Sequence, residues 1–290
     1  MRSIDDDEGC SEFRVTRFSS QPDVDCESRT AFSQTQDLVV NEAPLQLQVQ
    51  GHDFAVLMRT PGHDEELGLG LLLAEGIITS MGDVRSVRHC ERVLDPEAEN
   101  NVLQVVLHEQ VEFDESRFER NLFSSSSCGV CDKAAIEQLV QITEGNDPHH
   151  VNASATQICR AMVDLQNQPL FKASGGSHAA ALFSLRSEEP KLLKVFEDVG
   201  RHNACDKIVG WALQEKKLPL DDTLLVLSSR IAFELVQKAL MAKTPVVAAL
   251  SAPTSLAVRL ADEAGIVLLG FVREGRANIY THASVLKKEA

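Results

Sequence analysis

Leu224-Leu-Val-Leu227-Ser-Ser-Arg230, Val246-Val-Ala-Ala-Leu250-Ser-Ala-Pro-Thr254 and Ile266-Val-Leu-Leu-Gly-Phe-Val272-Arg-Glu-Gly-Arg276 are the stretches on which the fold turns. Each is a short apolar run ending in small, hydroxyl or basic residues. Amphipathic helical stretches, 231–242 and 254–264, separate them. Strands covered on both faces read as unbroken apolar runs. Their alternation with helices predicts an α/β fold with a largely parallel sheet layered with helices. Ligands on such sheets bind beyond the carboxyl ends of the strands. Those ends carry Arg230, the Ser251–Ser255 cluster, Arg273 and Arg276. Together they predict a basic, hydroxyl-rich phosphate pocket.

Upstream, Lys191 to Val199 reads as a strand and 200–214 as a helix burying Ala204, Ile208, Trp211 and Ala212. Their junction, Glu197-Asp-Val-Gly-Arg-His-Asn203, is dense in functional side chains. A capped helix, with Asp198 accepting from early N–H groups, explains part of it. Arg201, His202 and Lys207 falling on the first turns favour ligand contact. Ser174-Gly-Gly-Ser-His178 is either a phosphate cradle or a plain turn before an apolar run. Another helix is predicted over 154–165. Nearer the start, Leu45, Leu47 and Val49 alternate with glutamines as a half-buried strand. A return strand (54–58), a helix from Asp64, and strands over 84–90 and 102–107 complete a smaller α+β domain at 37–115. The α/β domain then spans 116–290. Residues 1–36 are polar, acidic and serine-rich, which predicts a disordered tail with Cys10 and Cys26 as passengers.

Ser124-Ser-Ser-Ser-Cys-Gly-Val-Cys-Asp-Lys133 places a Cys-x-x-Cys pair where a loop meets a helical pattern. A helix N-terminus favours an anion, and a thiol there loses its proton more readily. This predicts reactive rather than structural cysteines. Structural zinc needs four ligands, and no second Cys-x-x-Cys exists; a thiol–disulfide redox site remains a competitor. His63-Asp64-Glu65 has the His-x-Glu form of zinc deaminases. The long gap to Cys128, and Ser127 in place of proline, make a capped helix start the better account.

The composition excludes several classes. Lys plus Arg number 28 against 43 Asp plus Glu, a net charge of −15, which opposes nucleic-acid or anionic-membrane binding. Seven cysteines without framework spacing suggest a reducing, cytoplasmic setting. The acidic start MRSIDDDEG resembles no signal or transit peptide, and the apolar runs are too short to span a membrane.

A series of ordered blocks resembles the FdhD-type sulfurtransferases, accessory proteins of formate dehydrogenases. They are Thr60-Pro-Gly-His-Asp-Glu-Glu-Leu67, Ser124 to Cys131, Gly175-Gly-Ser-His-Ala-Ala-Ala-Leu182, Glu197 to Ala204, Asp206-Lys207, Ser228-Ser-Arg-Ile231, Ser251-Ala-Pro-Thr-Ser255, and Gly270 to Arg273 with Gly275-Arg276. They span residues 37–282. The resemblance implies a cytidine-deaminase-like mixed or parallel sheet layered with helices, and a homodimer. It implies a sulfur carrier that takes persulfide from a cysteine desulfurase. The recipient would be the molybdenum (or tungsten) of the bis-guanine-dinucleotide cofactor, Mo-bis-MGD, required by formate dehydrogenase. Under it Cys128 corresponds to the persulfide-bearing catalytic cysteine and Cys131 to its assistant. Phe271, Val272, Arg273, Glu274, Gly275 and Arg276 correspond to the cofactor-binding strip, for which GDP is the expected mimic. No metal ligand from this chain is required. The usual Cys-Gly-x-Cys-Gly ends here in Asp132, whose carboxylate raises a neighbouring thiol's pKa while complementing the helix dipole. Alternatives to the transferase are a cofactor chaperone with incidental cysteines and a thiol–disulfide oxidoreductase.

Overall fold

The computed structural model describes residues 9–21, 29–90, 100–113, 151, 153–165 and 167–288. In chain order the elements are β1 (Cys10–Gln21), β2 (Arg29–Val40), β3 (Ala43–Val49), β4 (His52–Arg59), α1 (Asp64–Ala74), β5 (Val84–His89) and β6 (Val102–Leu107). Then come α2 (Ala155–Leu165), α3 (Pro169–Ser174), β7 (His178–Ser184), β8 (Lys191–Asp198) and α4 (Arg201–Gln214). The chain ends with β9 (Thr223–Leu227), α5 (Phe233–Met241), β10 (Val246–Ala249), α6 (Ser255–Glu263), β11 (Val267–Arg273) and β12 (Arg276–Ile279).

The larger sheet has the order β12-β11-β10-β9-β7-β8. Parallel pairing is confined to β9, β10 and β11; β12, β7 and β8 join antiparallel. The predicted largely parallel sheet is therefore mixed. The reason lies in the connections. A helix separates each parallel pair, whereas Glu274-Gly275 and residues 185–190 are too short for a crossover and can only reverse the chain. Gly275, at φ 70°, takes the left-handed conformation that this tight reversal requires. Alternate residues of the central strands face opposite ways. Leu225, Leu227, Val247 and Leu268 join α4, α5 and α6 in one core. Leu224, Val226, Ala248 and Leu269 pack with Ile158, Met162 and Leu165 of α2 in another.

The smaller sheet, β4-β3-β6-β5, presents Leu45, Leu47, Leu103 and Val105 to α1, which is buried nearly all round. On its far side α1 meets α4 backbone to backbone. A Cβ on Gly70 would lie 1.9 Å from the Asp206 carbonyl oxygen, and one on Gly210 1.9 Å from that of Glu66. The sequence unit 37–115 thus shares one continuous core with the larger sheet.

Residues 10–21 and 29–40 depart from the predicted tail. They pair antiparallel along their length as a two-stranded ribbon. Aromatic and β-branched residues (Phe13, Val15, Thr16, Phe18, Phe32, Thr35) favour extended chain, and the Phe18 and Phe32 rings face each other at 5.4 Å. Charged residues interleave with them, so neither face is apolar and the period-two signal is lost. A lone ribbon is marginal in water. This one is tied down at its base, where Gly9 approaches Leu170 of α3 and Val40 approaches Gly176. Cys26 lies outside the described residues.

Candidate functional site

The carboxyl ends of β9, β10 and β11 converge, as the apolar runs predicted. Leu250 N–H donates to Leu227 O, Ile231 N–H to Ala252 O and Thr254 N–H to Ile231 O, which locks the first two strand-end loops together. The third is held by a bulge in the β11–β12 pairing at Gly270 to Arg273. Phe271 there has φ 52°, a left-handed conformation that is strained for an aromatic residue, and its N–H donates to Ser251 O at 3.2 Å. Gly270 permits this approach: a Cβ would lie 2.9 Å from Pro253 Cδ and 3.0 Å from Tyr280 Cε2.

Beside the bulge is an open depression of about 460 Å³ lined by Met162, Val163, Arg273, Glu274 and Arg276. Arg273 Nη1 donates to Leu250 O at 2.6 Å and to Val272 O at 2.7 Å, so the guanidinium is anchored at the strand end. Of the predicted strip, Phe271, Arg273, Glu274, Gly275 and Arg276 are exposed, whereas Val272 is fully buried in the α2-side core. The Ser251–Ser255 cluster does not line the depression. Ser251 O takes the Phe271 amide and Thr254 Oγ1 caps α6 by accepting from Ala257 N–H. Arg230 is exposed and does not line it either. The sequence reading missed the wall supplied by α2. Met162 belongs to the spacing that marks its core face, and Val163, off that face, had no distinguishing signal.

The Glu197–Asn203 junction is chiefly architecture. Asp198 is fully buried and accepts from Thr60 N–H (3.3 Å), Gly200 N–H (2.8 Å) and Asn203 Nδ2 (2.9 Å). Lys207 Nζ lies 2.7 Å from it and also donates to Thr60 O. These residues bind the loop after β4 to the start of α4. The predicted ligand contact is therefore corrected for Lys207, which is shut off from solvent between Asp198 and Thr60 O, whereas Asp198, predicted as an acceptor for early helix N–H groups, does accept from Gly200 N–H. Arg201 and His202 differ, because buried nitrogens of each lack a hydrogen-bond partner. Burial, with Lys238 and Arg201 nearby, pushes the His202 pKa down to about 4. Burial and Arg201 also lower that of His178.

Ser174–His178 is a turn rather than a cradle. Gly175 closes α3 at φ 67°, Gly176 N–H donates to Ser174 Oγ, and Ser177 Oγ donates to Glu197. His63 and Glu65, the ends of the His-x-Glu form, have separate partners, Gln214 Nε2 donating to Glu65 Oε2 at 3.4 Å. The His63 ring meets Glu66 and Phe196, while Asp64 is held by a bidentate contact from Arg59 at 2.9 Å. Cys205 is buried, and burial beside Asp206 pushes its thiol up to about 12, so it is inert. Cys128, Cys131, Asp132 and the helix predicted after them lie outside the described residues.

Two sheets sharing a core, with Arg273 anchored at the strand ends and Arg276 beside it, define a mixed α/β protein with a basic depression in an otherwise acidic chain. The chain belongs to the FdhD/NarQ family, whose profile matches residues 40–287. It is 46% identical over 257 residues to the sulfur carrier protein FdhD of Mycolicibacterium paratuberculosis, covering 87% of this chain and 93% of that one. Over 251 residues it is 40% identical to the sulfur carrier protein FdhD of Saccharolobus solfataricus, covering 85% and 90%. Its fold is similar to a crystal structure from Desulfotalea psychrophila, described as a formate dehydrogenase accessory protein. The TM-score is 0.64 at 18% identity, covering 94% of this chain and 99% of that one. No helix among the described residues is long and apolar enough to cross a membrane.

Proposed function

We propose that this protein is a sulfur carrier in formate dehydrogenase maturation. The observation that carries the proposal is its identity, along most of its length, to proteins named for that role. Cys128 is the carrier. Its thiolate attacks the terminal sulfur of a cysteine desulfurase persulfide. The donor's S–S bond breaks, the donor cysteine leaves as a thiolate, and Cys128 holds the sulfur as a persulfide. Cys131 assists release. The recipient substrate is Mo-bis-MGD, and the work takes place in the cytoplasm, in a homodimer of cytidine-deaminase-like protomers. Two arginines at a strand-end depression suit a pyrophosphate, whose paired oxygens match the guanidinium fork. Met162 and Val163 offer an apolar wall beside them.

Loading the protein with a desulfurase and cysteine, then mapping persulfide by mass spectrometry, tests the first step. Sulfur is expected on Cys128, and its absence there with presence on another cysteine rejects the assignment. A Cys128→Ala protein that still yields active formate dehydrogenase would instead establish a cofactor chaperone. For the second step, Arg273→Gln and Arg276→Gln should each weaken GDP binding about tenfold or more, the loss of one charge-assisted contact. Unchanged affinity in both would remove the strip from the site.

A further inference from the structure

Along the same row of strand ends, on the β7–β8 side, a second group of polar side chains stands apart from the Arg273 depression. His178 opens β7 opposite Asp198, the last residue of β8. Three residues after Asp198, Arg201 and His202 form the first turn of α4. Ser228, at the end of β9, closes the row by accepting from Ala179 N–H. Electrostatically the three are one cluster, since Arg201 depresses both imidazoles and His178 depresses His202.

Its distinguishing feature is a lack of partners. Arg201 Nε and His202 Nε2 are shut off from solvent, yet neither has a hydrogen-bond acceptor or donor to meet. Among the described residues, the Arg201 side chain makes no hydrogen bond or ion pair, and the His178 ring makes no hydrogen bond. Buried polar groups are nearly always paired, so orphaned ones need an explanation. The neighbouring lysines supply none, being neutralised already: Lys207 by Asp198 and Lys238 by Asp206, each at 2.7 Å. Gly200, the N-cap of α4, gives the helix start no side-chain acceptor. One unpaired guanidinium, two imidazoles and a helix start without a side-chain cap supply the donors that a small tetrahedral anion takes.

We propose that Arg201, His178 and His202 form a phosphate-binding subsite separate from the Arg273–Arg276 depression. The guanidinium supplies the charge and a fork of donors, and each imidazole turns an N–H toward the anion. Glu234 tempers the site, its carboxylate lying 3.9 Å from His202 Nε2. The occupant is inorganic phosphate or the phosphate of a nucleotide, and these are separable. The inference stands on these residues alone and does not depend on sulfur transfer.

The test is calorimetric titration of the full chain with inorganic phosphate, GDP and guanosine, alongside NMR of the histidine ring nitrogens. Phosphate is expected to bind and to shift the His178 and His202 signals. Arg201→Gln should weaken it at least tenfold, Arg201→Lys less, and Glu234→Gln should tighten it. Arg273→Gln with Arg276→Gln should leave phosphate affinity unchanged. If only GDP binds, and Arg201→Gln weakens it tenfold, the phosphate is a nucleotide's. The proposal is overturned if Arg201→Gln and Arg201→Lys, both folded by circular dichroism, bind phosphate and GDP like wild type. Loss of all phosphate binding in the Arg273/Arg276 double variant, or histidine signals unmoved by saturating ligand, overturns it equally.

Discussion

Replacing Lys207 by methionine removes the countercharge of Asp198 while keeping a side chain of similar length. Both residues are almost wholly buried, at 1% and 0% exposure, with 2.7 Å between Nζ and Oδ2. Breaking such a pair from one side costs about 3–5 kcal/mol, because the other charge stays buried without its partner. Three N–H donors remain on Asp198, from Thr60, Gly200 and Asn203, so the cost belongs near ~3 kcal/mol of that range. Asp198→Ala should cost more, about 5 kcal/mol. It strands the ammonium on Thr60 O alone and orphans the amides of Thr60 and Gly200. The double variant Asp198→Asn, Lys207→Met carries no buried charge and should recover about 1–3 kcal/mol relative to the sum of its singles. Urea unfolding reads these differences through Trp211, the only tryptophan, one helical turn beyond Lys207 in α4. A Lys207→Met protein within about 1 kcal/mol of wild type at unchanged m-value, or strictly additive singles, would refute the reasoning.

Gly70→Ala forces α1 and α4 apart. The new methyl meets backbone rather than a movable side chain, so the loss should reach or exceed the usual ~1–3 kcal/mol of overpacking, seen as a lowered Tm. His202, with its folded pKa at about 4 and an unfolded value near ~6.5, binds its proton more readily when the chain unfolds. Its contribution is therefore complete above pH ~6.5 and is lost as pH falls from there through about 4. The loss is on the order of 2–3 kcal/mol at most, reduced because the ring is a quarter exposed. Urea midpoints at pH 7 and 5 should differ less in His202→Gln than in wild type. Native protein treated with iodoacetamide should leave Cys205 unlabelled until urea is added; rapid native labelling would contradict its burial.

Much of this was legible in the chain. The runs at 224, 246 and 266 are apolar on both faces because helices cover both, so burial wrote itself into composition. The bulge at Phe271 was not, since its conformation is imposed by Ser251 and Pro253 from another strand. Lys207 looked like a ligand group because one sequence position reads alike whether its charge faces solvent or a partner. Thr60, the partner that decides the matter, is 138 residues from Asp198 along the chain. The six-residue helix α3 was overlooked as too short to show a period. The ribbon was overlooked for the opposite reason, having extended-chain propensity but no apolar face.

The crossing of Gly70 over Gly210 also bears on how the molecule is made. Leu67, Leu72 and the small sheet leave the ribosome early, but the helix that covers α1 follows about 140 residues later. At elongation rates of about 5–20 residues per second, that is a delay of roughly 7–28 s. During it a helix whose last eight residues, Leu67 to Ala74, are all apolar or glycine is present without its lid. Holdase chaperones would have a ready target in the nascent N-terminal third, and slowed translation between residues 75 and 200 should lower the soluble yield even though the finished fold covers that helix.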